Sequence, residues 1–146
     1  MAGVHMQFNI TDTGVKQLFT RMSNADFSEM NDEMGQALVA EAQERFDKSQ
    51  APDGSTWQQS QRAIEDGGKT LIDSSILLTS ITSKANDEGF IIGTPEIYGA
   101  IHHFGGATGR NGSVELPARP ILGLEAMQQE RLEEVWLGWL DDEAQQ

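Results

Sequence analysis

Two adjacent histidines are the residues of this chain best suited to chemistry. His102 and His103 lie in the segment IYGAIHHFGG, and an imidazole can bind a metal ion or transfer a proton near neutral pH. Neighbouring residues of a helix point about 100° apart, so the two rings are poorly placed to share one ion. A helical zinc pair needs a spacing of three or four residues and a third ligand. We therefore predict no metal and no cofactor at this position.

A catalytic role for these histidines would need a nucleophile and an orienting acid. No serine of the chain lies in a Gly-x-Ser-x-Gly elbow, and the third histidine, His5, is close to the amino terminus. The chain has no cysteine, which excludes disulfides, thiolate metal sites and cysteine nucleophiles. The sequence thus predicts a protein that is not an enzyme. A small hydrolase that pairs one histidine with Asp73 or a nearby serine stays open as an alternative.

One short segment has the composition of a phosphate-binding loop. Gly68-Lys69-Thr70 matches the end of that loop, but the motif requires a glycine five positions before Gly68, where the chain has Ala63. The motif also follows a buried strand, whereas a polar Trp-Gln-Gln-Ser run precedes this segment. We predict no nucleotide binding.

The chain is strongly acidic. Twenty-three Asp and Glu residues oppose ten Lys and Arg residues, for a net charge of −13, and the basic residues are scattered. A phosphate-binding surface needs clustered basic residues, so we predict no sequence-specific nucleic-acid binding. No apolar run is long enough to span a bilayer, so we expect no membrane contact. An acidic monomeric inhibitor that mimics nucleic acid stays open as an alternative of another class.

The length of 146 residues suits a single domain, 1–146, in which apolar periodicity predicts two long helices. One runs over 27–48, where Asp26 and Glu29 have the spacing of a capping box, and the other over 124–141 with an acidic polar side. The predicted parts of the domain are a helical part (about 12–48), a tryptophan loop (49–70), the sheet with short helices (71–123) and the C-terminal helix (124–141). The apolar stripe of the first long helix is Met30, Met34, Leu38, Ala42 and Phe46.

Tryptophans mark two further places. Trp57 stands in a polar segment, where a large apolar side chain either anchors a loop to the core or forms an interface hot spot; we favour the anchor. Trp136 and Trp139 lie one turn apart on the last helix and suit either a core seam or a subunit contact.

The middle of the chain predicts a small antiparallel sheet. Asp73 is placed to cap a short helix, and strands within about 80–94 flank a turn of the residues Asn-Asp-Glu-Gly. Residues 113–117 and the alternating segment 6–11 are the other candidate strands. The fold class predicted is α+β, with the sheet packed against the two long helices and with extended assembly loops.

The histidines themselves fall in a predicted helix that starts near Pro95 and ends at Gly105 or Gly106. We predict that one face of this helix lies against the core and that the histidines, on the other side, are partly exposed and touch a neighbouring subunit or loop. The residues of the predicted core face are Ile97, Ala100, Ile101 and Phe104.

A glycine-rich segment and a proline-rich segment follow the helix. Four glycines in residues 105–112 predict a mobile loop that carries Arg110 and orders on assembly. Pro117 and Pro120 stiffen the backbone around Arg119, which makes this arginine a candidate for a buried or intersubunit carboxylate pair.

Five motifs in order carry a resemblance: ERF, PDGSTW, LIDSSILLTSI, GTPEIYGAIHHFGG and LPARPILGL. Over roughly residues 40–125 the chain resembles the phage virion morphogenesis family, the tail-completion or neck proteins of tailed phages, including Mu-like ones. Three positions depart from the family pattern. Ser75 stands where the family often has glycine, Gly99 replaces an alanine, and Ile121 replaces an aromatic residue.

The resemblance implies a structural protein of the virion, in the tail or neck, that is assembled in the host cytoplasm and acts in tail completion and head–tail joining. It implies a homo-oligomeric ring, with a hexamer expected, and tail-tube and neck or connector proteins as partners. A tail terminator proper is the alternative role. An acidic inner rim would let DNA pass through such a ring without sticking. The candidate assembly residues are Trp57, His102, His103, Phe104, Gly105, Gly106, Arg110, Pro117, Arg119, Pro120, Trp136 and Trp139.

Overall fold

The computed structural model describes residues 13–146, so the predicted strand 6–11 and His5 lie outside the described part. Its architecture is α+β, as predicted. No helix of the described residues has the length and apolarity to cross a membrane. The elements are α1 Thr13–Ser23, α2 Ser28–Lys48, α3 Gln61–Asp66, α4 Ile76–Ser80, β1 Thr82–Asn86, β2 Gly89–Gly93, α5 Gly99–Phe104, β3 Gly106–Thr108, β4 Val114–Leu116 and α6 Ala126–Gln145, with a 3-10 turn at Arg110–Gly112.

The long helix α2 is the centre of the fold. Of its predicted stripe, Met30, Leu38, Ala42 and Phe46 are buried, as the spacing indicates. The predicted capping box at its start is wrong. Phe27 occupies the N-cap position with no side-chain cap, while Asp26 Oδ1, one residue earlier, accepts from Ser28 N at 2.8 Å.

The second long helix, α6, runs antiparallel to α2. At one end the buried Gln128 donates to Glu41 Oε1 at 2.6 Å, and at the other the Phe27 ring lies 5.2 Å from that of Trp139 and 6.4 Å from that of Trp136. The capping box of this protein lies here, between Glu125 and Gln128. The two tryptophans, both partly exposed, therefore pack against Phe27 within the chain, and the subunit contact stays a prediction.

Trp57 is an anchor, as favoured from the sequence. It is 3% exposed and packs edge-on against Phe46, with ring centroids 5.4 Å apart. Its indole N–H donates to the carbonyl oxygen of Pro120 at 2.9 Å. One side chain thereby joins the tryptophan loop, α2 and the proline-rich segment.

The predicted hairpin is confirmed, but the described strands form two separate sheets rather than one. β1 pairs antiparallel with β2, from Thr82 opposite Gly93 to Asn86 opposite Gly89. β3 pairs antiparallel with β4 and with no other described strand. The first hairpin packs so tightly on α2 that a Cβ added to Gly35 would lie 2.8 Å from Ser83 Cβ.

The short helices differ from their predictions in how they begin. The residue before α4 is Ser75, with a left-handed φ of 63° and no side-chain cap, so Asp73 is not the cap. The helix α3 was missed within the predicted loop 49–70. Its signal was local, because Ser60 lies at its N-cap and accepts from Ala63 N.

Candidate assembly surface

The helix that carries the histidines is shorter and turned the other way from the prediction. Ile97 is 95% exposed and precedes the helix, and Phe104 is 77% exposed. The buried residue of α5 is Gly99, where a Cβ would lie 2.7 Å from Thr94 Cγ2. The predicted core face is therefore wrong, because close approach at a glycine, rather than apolar spacing, decides which side of this short helix packs.

His103 fastens α5 to the segment that follows Pro120. Its Nδ1 accepts from the backbone N–H of Ile121 at 3.1 Å and lies 3.5 Å from the N of Leu122. Burial lowers the pKa of His103 below its ordinary value of 6.5. The ring is thus a neutral acceptor with its proton on Nε2. This arrangement fits a structural hydrogen bond between two segments of the chain better than a metal ligand.

His102 is half-buried beside the same segment. Its backbone carbonyl oxygen accepts from Arg119 N at 2.8 Å, and its ring lies edge-on to Tyr98 at 6.1 Å. Burial, and then the positive charge of Arg119, lower the pKa of His102. Within residues 13–146 its buried Nδ1 has no hydrogen-bond partner. Both histidines are partly exposed, as predicted.

Arg119 is buried, but no carboxylate pairs with it in the described part of the chain. It is 3% exposed, and its Nε donates to the carbonyl oxygen of Gln58 at 2.7 Å. The prediction of a carboxylate pair within the chain is therefore wrong, because the guanidinium donates to the backbone carbonyl of Gln58, the residue after Trp57. The intersubunit version stays a prediction.

Gly105 ends α5, as predicted. Its φ of 70° is left-handed, and a Cβ there would lie 2.5 Å from the backbone N of Ala118. The predicted loop 105–113 is instead the first strand and turn of the β3–β4 hairpin, with Gly106 opposite Leu116 and the exposed Arg110 in the turn. The hairpin projects from a base where α5 and the proline-rich segment touch.

Around Arg119 lies a cleft of about 600 Å³ with a mixed polar and apolar lining, which we call the Arg119 groove. Its walls come from the 58–62 segment, the residues before and at the start of α4, the 98–102 turn and the β4–Pro117 segment. Large apolar side chains on its rim are exposed to solvent. They are Ile64 at 59%, Ile76 at 49%, Val114 at 46% and Tyr98 at 40%.

A second cavity, of about 610 Å³, lies between β2, α5 and α6, and we call it the β2 groove. Its lining is almost wholly apolar and includes Leu38, Phe90, Ile92, Phe104, Leu124 and Leu132. The two grooves lie on either side of α5, since His102 lines the first and His103 the second.

The candidate assembly residues fall into four places. His102, Pro117 and Arg119 line the Arg119 groove, and the hairpin continues from it. His103 and Phe104 line the β2 groove, whereas Trp57 and Pro120 are held together in the interior. Trp136 and Trp139 lie apart from these, in the α2–α6 seam. Sequence reasoning missed Ile64, Ile76 and Val114 as exposed rim residues. Ile64 is a lone apolar residue in a polar segment, and Ile76 belongs to the run Ile76-Leu77-Leu78, in which spacing does not separate the exposed residue from the buried one.

The described residues hold no group of three or more His, Cys, Asp or Glu placed to bind a metal ion. What the geometry offers is docking surface, in the form of two grooves beside one short helix and a projecting hairpin. Grooves with exposed apolar side chains and a projecting hairpin are features that suit contacts with other proteins.

The comparison with known families assigns the chain further. Residues 8–141 match the model of the phage virion morphogenesis family, so this protein belongs to that family. Its role therefore lies in phage morphogenesis, as the motif resemblance implied, and the family is one of virion-associated proteins. No solved structure matches the chain.

A curated relative supports the same assignment. The chain is similar to Mu-like prophage FluMu G protein 2 of Haemophilus influenzae, with 51% identity over 55 residues. The matched stretch covers 38% of this chain and 40% of the relative. The similarity thus spans less than half of either protein.

Proposed function

We propose that this protein completes the phage tail and joins it to the head, as a ring of identical copies in the neck or at the tail end, with six copies expected. It works through docking rather than turnover. Tail-tube and neck or connector proteins are its partners on the two faces of the ring, and DNA passes through the lumen.

The observation that carries the proposal is the apolar rim of the Arg119 groove. Four large apolar side chains stay exposed there on a chain with a net charge of −13. A cluster of exposed apolar side chains around a cleft that also presents polar groups is typical of a protein–protein contact. Ile97, 95% exposed, continues the rim next to Tyr98.

The buried guanidinium in the floor of the groove supports the same contact. A buried arginine is costly unless its charge is matched, and Arg119 has no carboxylate partner in residues 13–146. A carboxylate from a neighbouring copy would meet the planar guanidinium in a charge-assisted hydrogen bond. The acidic composition of the chain supplies many such groups.

The β3–β4 hairpin is the proposed arm of the ring contact. Gly105 and the bond from Arg119 N to the His102 carbonyl oxygen fix its base, while Val114 near its tip is 46% exposed. Fixing the base lowers the entropy that ordering the arm would otherwise cost on assembly.

Two alternatives use other features. A tail terminator proper would use the same ring contact to cap tail-tube polymerisation, so its loss would give tails of uncontrolled length. An acidic monomeric inhibitor rests on the net charge instead, and it predicts a basic partner in pull-down and no self-association at any concentration.

Complementation of a phage that lacks this gene tests the proposal. Wild type and Leu137→Asp, a matched control at an exposed apolar residue of α6, should restore joined particles. Val114→Asp should leave headless tails and tailless heads in electron micrographs, because a carboxylate replaces an apolar rim contact.

Three results would overturn the proposal. Joined, infectious particles at wild-type yield with Val114→Asp would remove the rim as the contact. Overlong tails in the absence of the protein would favour the terminator. Normal particles without the protein would exclude both roles.

A further inference from the structure

A ring needs two contact surfaces on each copy. When more than two identical copies are related by one rotation axis, each contact joins two different patches, one from each neighbour. The apolar rim of the Arg119 groove is one such patch in the proposed ring. A second patch has to lie elsewhere on the same chain and has to fit the first.

The β2 groove has the properties of that second patch. Its cavity of about 610 Å³ has an almost wholly apolar lining. Two of the lining side chains remain largely in solvent, since Phe104 is 77% exposed and Leu124 is 55% exposed. Large apolar side chains that stay exposed around a cavity are typical of a surface that another protein covers.

The two grooves are separate, although α5 contributes to both. Tyr98, at the N-cap of α5, and His102 line the Arg119 groove, whereas His103 and Phe104 line the β2 groove. No described residue lines both grooves. The two patches therefore do not overlap, so one copy can contact a different neighbour with each of them.

Charge favours a second copy as the occupant of the β2 groove. Each copy has a net charge of −13, so two copies repel unless the surfaces that meet lack net negative charge. None of the described residues that line the β2 groove is Asp, Glu, Lys or Arg. The charged residues that line the Arg119 groove balance one another. They are Arg62, Arg119, Asp73 and Glu115. The two grooves are therefore neutral parts of an acidic molecule, whereas a basic partner would be attracted to the acidic faces.

We propose that the β2 groove of one copy receives the apolar rim of the Arg119 groove of the next copy, with Ile97 and Val114 of the rim against Phe104 and Leu124. This inference rests on the proposed ring and names the second surface of its contact. Each copy uses both surfaces, so the same head-to-tail contact repeats around the ring. Burial of exposed apolar side chains on both copies drives the association.

Mixing two blocked variants tests this pairing. Val114→Asp places a charge on the rim and leaves the β2 groove intact, whereas Phe104→Asp places a charge in the groove and leaves the rim intact. Each variant alone should remain a single chain by analytical ultracentrifugation, at a concentration at which the wild type assembles. The equimolar mixture should form a species of twice the chain mass, because one intact rim and one intact groove remain between the two variants.

Leu137→Asp is the matched control for the added charge. Leu137 is 62% exposed and lines neither groove, so this variant should assemble as the wild type does. Circular dichroism checks the fold of every variant. Leu124→Asp takes the place of Phe104→Asp if the latter has lost its fold.

The outcomes separate this contact from the ring itself. Assembly of Phe104→Asp and Leu124→Asp like the wild type would exclude the β2 groove. A mixture of Val114→Asp and Phe104→Asp that holds only single chains would show that the rim and this groove do not pair, while assembly of the wild type would leave the proposed function intact. A wild type that never assembles would contradict the ring and, with it, this contact.

A cross-link detects the same contact within the complete assembly. The chain has no native cysteine, so Ile97→Cys and Leu124→Cys each supply a single thiol. In a mixture of these two variants, a short bismaleimide should join them at least about tenfold more efficiently than it joins Ile97→Cys to Leu137→Cys. Equal yields with Leu124→Cys and Leu137→Cys would overturn the proposal. A dominant product of two Ile97→Cys chains would also overturn it, because it would show that the rims meet each other.

Discussion

At the scale of single residues, the histidines act through hydrogen bonding and packing. His103 Nδ1 accepts from the backbone of the proline-rich segment, and the His102 carbonyl oxygen accepts from Arg119 N. Trp57 ties the same segment to the core through Pro120. Two side chains and one backbone carbonyl thus fix one irregular segment, and that segment carries Arg119 in the floor of the Arg119 groove.

The neutral state of His103 predicts a pH-dependent stability. Its pKa is below 6.5 in the folded chain and ordinary in the unfolded chain, so the unfolded chain binds more protons below that pH. Stability is complete above 6.5 and is lost as the pH falls through the folded pKa. Protonation would also turn the Nδ1 acceptor into a donor that faces a backbone N–H.

Urea unfolding between about pH 7.5 and about pH 5.5 measures this. The free energy of unfolding of the wild type should fall over this range. The His103→Asn variant keeps an acceptor that does not titrate, so its free energy of unfolding should fall less steeply with pH. The decrease that remains in this variant is due to His102. Identical slopes for wild type and variant would contradict the role of His103.

At the scale of elements, two short helices depend on unusual backbone rather than on apolar faces. α5 ends at the left-handed Gly105, packed on Ala118, and α4 begins after the left-handed Ser75. Glycine, which the motif resemblance places at position 75, takes a positive φ without steric cost.

Ser75→Gly should therefore stabilise the protein. Relief of a left-handed serine contributes about 1–2 kcal/mol and outweighs the entropic cost of glycine, about 0.5–1 kcal/mol. Ser74→Gly, at an exposed neighbour without a positive φ, should instead destabilise. Chemical denaturation of both variants gives the sign of the change in the free energy of unfolding. A lower free energy of unfolding for Ser75→Gly would contradict the backbone strain at Ser75.

Gly105→Ala should destabilise by more than about 1 kcal/mol, because alanine is strained at this φ and its Cβ would collide with Ala118 N. The control is Gly138→Ala, in the interior of α6 with nothing within 4 Å of the added Cβ. That change should stabilise by about 0.5–1 kcal/mol. Thermal unfolding of the two variants measures these changes in stability. Equal changes for Gly105→Ala and Gly138→Ala would show that the C-terminal end of α5 tolerates a side chain.

Long-range periodicity made the large elements predictable. The stripe of α2 repeats over many turns, so its buried residues Met30, Leu38, Ala42 and Phe46 could be derived from spacing. α5 could not, since six residues make fewer than two turns and one buried glycine decides its orientation. Arg119 was a candidate for a buried or intersubunit carboxylate pair. It is buried, but its partner within the chain is a backbone carbonyl, which no residue pattern reveals.

At the scale of the whole molecule, α2 and α6 form a stable seam, and one end of the molecule presents the Arg119 groove, its apolar rim and the hairpin. The rim residues Ile64, Ile76 and Val114 come from three separate segments that only the fold brings together. In the proposed ring, the seam keeps the domain rigid while the rim provides the contact between copies.

Light scattering of the purified protein over a concentration series tests that contact most directly. The proposed ring predicts that wild type and Leu137→Asp reach a multiple of the chain mass, with six chains expected, while Val114→Asp remains a folded single chain by circular dichroism. A single chain for the wild type at every concentration, or unchanged assembly of Val114→Asp, would contradict it.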